Sequence, residues 1–84
     1  MTLSEALKKR IMDLADERKM SLHKLTTVSG VAYSTLSSFF LGKCSSLTLT
    51  TILHICEGLD IKLKDFFDDP VFKDITIDET KISK

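Results

Sequence analysis

The chain is poor in the residues that most chemistry needs. Only three glycines occur in 84 residues. None of them builds the glycine-rich loop that cradles a phosphate in nucleotide enzymes. Two cysteines, Cys44 and Cys56, are too few for a disulfide framework, and a cytoplasmic pair is expected to be reduced. His54 and Cys56 lie two apart on a predicted helix and point to different sides, and His23 is the only other histidine. That argues against a zinc site, and no other cofactor is implied. No Ser/His/acid set has local support, and no paired carboxylates sit in an apolar setting, so an enzyme is not expected. No apolar run approaches the about 20 residues of a membrane span. No internal repeat is visible, and the single proline, Pro70, stands late in the chain.

Net charge is also lacking, with twelve basic residues against twelve acidic ones. The distribution is uneven. Residues 1–44 carry seven Lys or Arg against four acids, and residues 45–84 carry five Lys against eight acids. The halves are therefore +3 and −3. This split is compatible with a basic face turned to phosphate, and equally with ordinary surface scatter. With 43% hydrophobic residues, one domain can build a single core without metal or disulfide. The opening MTLSEALKKR is charged and helical in pattern rather than a signal peptide. A cytoplasmic location is expected.

The most informative stretch is Ser21 to Gly42. Leu22, Leu25 and Val28 form one apolar run, and Val31, Leu36 and Phe39 form another, both at helical spacing. Gly30 stands where the first run must stop, and positive φ is cheap there only for glycine. Three residues cannot make a wide loop, so two helices must cross sharply in a helix-turn-helix. A preceding helix is predicted from about Leu3 or Ser4 to Lys19, with Ser4 as N-cap and Leu7, Ile11, Leu14 and Ala15 as its apolar stripe. The second helix starts after Ser21, and the third covers about Tyr33 to Leu41. Thr48 reads as the N-cap of a fourth, which runs to about Gly58 and buries Ile52, Ile55, Cys56 and then Leu59. Leu63 to Phe67 makes a short fifth helix, with Leu63 and Phe66 closing the core. Asp68-Asp69-Pro70 ends the domain. Residues 1–69 are thus one domain and residues 70–84 a tail. Alternating Ile75 and Ile77 give a weak strand signal there, so the tail can dock, pair across a dimer, or fray.

Leu25, Gly30, Val31, Leu36 and Phe39 stand in register with the helix-turn-helix pattern, and residues 4 to 68 resemble the Cro and lambda-repressor-like, or xenobiotic-response-element, family of bacterial regulators. The resemblance implies an all-α, compact five-helix lambda-repressor-like domain that binds double-stranded DNA as a transcriptional regulator. It puts Tyr33, Ser34, Ser37 and Ser38 at base-reading positions, and Ser21, Lys43, Ser45, Ser46 and Thr48 near the DNA backbone. Leu22 replaces a frequent glutamine, which removes one phosphate contact. Ala15 and Phe40 stand where many relatives pair an arginine with a glutamate, an exchange that spares two buried charges and predicts Phe40 packed on the first helix. Serine discriminates weakly among base edges. Residues 32–41 carry no charge, so one copy should bind weakly and a homodimer on a palindrome would strengthen it. The alternative is a protein-interaction module on the same scaffold, such as an antitoxin-like or regulator-partner subunit. No small-molecule ligand is evident.

Overall fold

Thr2 opens the first helix because it can close a capping box with Glu5. Its hydroxyl accepts from the Glu5 amide at 3.3 Å, and the Glu5 carboxylate accepts from the Thr2 amide at 2.9 Å. In the computed structural model, which describes residues 2–44 and 46–76, the chain forms five α-helices: α1 (Leu3–Glu17), α2 (Leu22–Ser29), α3 (Tyr33–Phe40), α4 (Leu49–Leu59) and α5 (Leu63–Phe67). A 3-10 turn follows at Pro70–Phe72. The fold is all-α, as expected. Thr2, not Ser4, is the N-cap of α1, because only Thr2 has a glutamate at the third helical position.

Three helix ends share one device. At the ends of α1, α3 and α4, residues Lys19, Gly42 and Asp60 take left-handed backbone, with φ of 54°, 84° and 59°. The following amides, of Met20, Lys43 and Ile61, donate back to the carbonyls of Ala15, Ser38 and Cys56. These are Schellman closures, which satisfy the last carbonyls and end the helix abruptly. They also explain why α1 stops two residues before Lys19 and why Leu41 lies outside α3. At the end of α2, Gly30 is left-handed at φ 76°, and its amide donates to Thr26.

The core draws on every helix: Leu7, Ile11 and Leu14 from α1, Leu25 from α2, Leu36 and Phe39 from α3, Ile52, Ile55, Cys56 and Leu59 from α4, and Phe66 from α5. One expectation needs correction. Val28 is 37% exposed, and Thr26 and Ser29 are buried in its stead. The reason is close approach of α2 to α4. A Cβ on Gly58 would lie 2.8 Å from the Cα of Ser29, so only small residues fit that seam. Phe40 is half-buried and packs on the core edge-on to Phe39, and Ala15 is buried.

Arg10 in α1 and Arg18, its C-cap residue, lock the far elements. Arg10 donates from Nε to the Phe66 carbonyl at 2.7 Å, from Nη2 to the Asp65 carbonyl at 2.9 Å, and from Nη1 to the Asp69 carboxylate at 3.0 Å. Arg18 donates from Nε to the Leu59 carbonyl at 2.8 Å, at the C-terminus of α4. Cations at helix C-termini also meet the favourable end of the helix dipole. Beyond Asp69 the chain runs back along α1. Phe72 packs against Phe66 and Phe67, and the Leu3 amide donates to the Thr76 carbonyl at 2.9 Å, next to an isolated parallel bridge between Thr2 and Thr76. Ile75 lies in this described segment; Ile77 and the rest of the tail lie outside the described residues.

Candidate functional site

The phase of α3 is set by its buried side. Leu36 and Phe39 are wholly inaccessible, which turns Tyr33, Ser34 and Thr35 to solvent and leaves Ser37 and Ser38 half-exposed. Tyr33 is 52% exposed. The hydroxyls of Tyr33, Ser34, Thr35, Ser37 and Ser38 take part in no hydrogen bond among the described residues. α3 starts from extended Ala32 without a side-chain cap, so its first amides also face outward with the positive end of the helix dipole. Thr35 lies beside the face opposite Leu36 and Phe39 and is exposed as well. Its exposure follows from the 100° step per helical residue.

The flanking residues are held more firmly. The Ser21 hydroxyl caps α2 by accepting from the Lys24 amide at 3.1 Å and keeps its own proton free. The Lys43 amide is tied to the Ser38 carbonyl at 2.9 Å, which fixes the backbone from which its exposed side chain leaves the end of α3. Ser46 is exposed, and its carbonyl accepts from the Cys44 thiol at 3.0 Å. The Thr48 hydroxyl accepts from the Thr51 amide at 3.1 Å and donates to the Thr51 hydroxyl at 2.9 Å, so its proton is already engaged. Ser45 lies outside the described residues.

Charge is concentrated differently from what the bare count of basic residues suggests. Arg10 and Arg18 are committed to helix ends. Lys9 pairs with Asp13 at 3.0 Å, and the Lys8 ammonium lies 5.5 Å from the centre of the Phe39 ring. Among the described residues of the first half, Lys19, Lys24 and Lys43 are exposed and make no ion pair. All three border the helix-turn-helix: before α2, in its first turn, and after α3. His23, also exposed in the first turn of α2, sets its ring 6.1 Å from that of Tyr33 at an interplanar angle of 49°. No periodicity in the sequence links these two residues, which stand ten apart on different helices.

The cysteines lie apart from this face in character. Both are free, Cys44 exposed and Cys56 buried. Burial pushes the Cys56 thiol above its ordinary range, with nearby Arg10 opposing and Glu57 reinforcing the shift. Such a thiol is a core filler rather than a nucleophile. Apolar side chains border the site too. Leu41 is 69% exposed and Leu49, opening α4, is 60% exposed. No helix among the described residues is long and apolar enough to cross a membrane.

A family model described as a Cro/C1-type HTH DNA-binding domain matches residues 3–71. The crystal structure of prophage Lp1 protein 11 superposes with a TM-score of 0.76 at 30% sequence identity, over 87% of this chain and 97% of that one. No curated protein matches the sequence.

Proposed function

The chain belongs to the Cro/C1-type helix-turn-helix family of DNA-binding regulators, and on that footing we propose that it is a sequence-specific transcriptional regulator that lays α3 in the major groove. Tyr33, Ser34, Ser37 and Ser38 read base edges. Ser21, Lys43, Ser45 and Ser46 grip the backbone with the amides that open α4, and Thr48 contributes its cap rather than its hydroxyl proton. The single observation that carries this reading is the row of hydroxyls on α3 without a partner among the described residues, flanked by Lys24 and Lys43, which make no ion pair among them. Serine is a middling helix former, so this surface adds nothing to stability and is available for recognition. Hydroxyls both donate and accept, and the tyrosine ring can meet a thymine methyl, so sequence is read here by hydrogen bonding and shape rather than by charge.

Affinity from phosphate neutralisation is small for one copy, because only three lysines without an ion pair among the described residues border the site. Two copies on a palindrome double the phosphate contacts and lengthen the sequence read. The protein acts as such a homodimer, in the cytoplasm, by occluding or recruiting at a promoter. Enrichment of bound duplexes from random DNA by the pure protein tests the reading. A palindromic consensus is expected, together with a fall of affinity with salt much shallower than the slope of about −10 found for strongly basic repressors. Recovery of no consensus would transfer the site to a protein partner, the use that exposed Leu41 and Leu49 would favour.

A further inference from the structure

Tyr33 has one ring neighbour among the described residues, and that neighbour belongs to the other helix of the motif. We propose that His23 is a positioning residue for Tyr33: the imidazole on α2 holds the phenol at the start of α3 in the orientation that reads DNA. The inference rests on the reading above, in which Tyr33 faces the bases.

The argument begins with mobility. Tyr33 opens α3 without a side-chain cap and is half-exposed, so little packing restrains its rotamer. The imidazole of His23 lies at a centroid distance of 6.1 Å and a tilt of 49°, within the range in which aromatic rings attract one another. His23 is itself on a firm base. Its carbonyl accepts both the Thr26 hydroxyl, at 2.7 Å, and the Thr27 hydroxyl, at 3.1 Å. Thr26 and Leu25, on the same turn, are buried. The first turn of α2 is therefore fixed to the core, and His23 passes that fixity to a side chain that would otherwise rotate freely. A side chain ordered before binding loses less entropy when it binds. The role needs a ring at position 23 and not a charge, which separates it from a simple phosphate contact.

The composition of the chain supplies the probe. Tyr33 is the only tyrosine and tryptophan is absent, so fluorescence excited in the tyrosine band, beyond phenylalanine absorption, reports Tyr33 alone. Time-resolved anisotropy of the free protein should show faster local motion of Tyr33 in His23→Ala and near wild-type motion in His23→Phe. On the duplex enriched from random sequence, His23→Ala should weaken binding about 2- to 10-fold, with His23→Phe restoring most of the loss. The double variant His23→Ala, Tyr33→Ala should bind no more weakly than Tyr33→Ala. Unchanged Tyr33 motion in His23→Ala, additive losses in the double variant, or a His23→Phe protein as weak as His23→Ala would each overturn the proposal. Should Tyr33→Ala bind as wild type, the base-reading role of Tyr33 fails and the inference with it, whereas the anisotropy still tells whether the ring contact exists.

Discussion

Arg10 and the α3 hydroxyls use polar atoms in opposite ways. At the junction of α1 with α5, each of Arg10's three nitrogens has an acceptor, and the side chain is largely buried. On α3, five hydroxyls have no partner among the described residues. Within one small domain, polar groups at the α1 and α5 end are consumed in closing the fold, while those on α3 are left open to solvent. The contrast teaches how a neutral chain can present a DNA-binding surface. Its two arginines stabilise helix ends, and on the reading proposed above recognition is left to hydroxyls and a few lysines. Counting basic residues along the sequence therefore overstates the charge that can meet phosphate.

This comparison can be attacked first through the core that the two regions share. Phe39 is wholly buried, and Phe39→Ala should destabilise by about 3–5 kcal/mol, a large part of the stability of so small a domain. Urea melts measure it; a loss under about 1 kcal/mol would mean that the phase of α3 is wrong and its hydroxyls do not face outward. Arg10→Ala comes next, at about 2–3 kcal/mol, because it strands the Asp69 carboxylate and the carbonyls of Asp65 and Phe66. Arg10→Lys should recover less than half of that, since a single ammonium nitrogen cannot span the three acceptors that separate guanidinium nitrogens reach. Recovery in full would show that only the charge matters. Gly58→Ala is expected to lose about 1–3 kcal/mol by pressing a Cβ onto the Ser29 backbone, reduced by the about 1 kcal/mol that alanine gains over glycine within a helix. A stabilised Gly58→Ala protein in thermal melts would show that the α2–α4 seam has room to spare.

The differences between regions also decide what could be read from sequence. Leu36 and Phe39, spaced by three, set the face of α3, and Gly30 and Gly42 mark two helix ends, because these signals are local. Thr48 as a cap was legible for the same reason. Thr2 was legible in principle, since threonine three residues before Glu5 is a capping box, but Ser4 stood closer to the apolar stripe. Val28 fitted the apolar spacing of α2 and yet lies outward. The demand for small residues beside Gly58 comes from a helix nearly thirty positions away. Arg10 looked like one more solvated charge because its acceptors lie 55 to 59 residues downstream. The His23–Tyr33 contact was invisible likewise, for it depends on the crossing of α2 and α3.

Lys43 sharpens the contrast at the smallest stability effect. It is exposed and makes no ion pair among the described residues, so Lys43→Ala should alter stability by no more than about 0.5 kcal/mol. It should weaken enriched and scrambled duplexes alike and make the salt slope shallower by about 1. Anisotropy titrations over a range of salt measure both quantities, and a loss confined to the enriched duplex would make Lys43 a base reader instead.

The central claim, that α3 is open for reading rather than for folding, meets its most direct test in Tyr33→Ala, Ser34→Ala. The paired measurement is the melting transition together with affinity for the enriched and the scrambled duplex. The account predicts stability within about 0.5 kcal/mol of wild type per site. It predicts a loss of about 1–3 kcal/mol on the enriched duplex for each base contact removed, and a smaller change on scrambled DNA. A double variant that melts as wild type and binds its enriched duplex as tightly as wild type would contradict it.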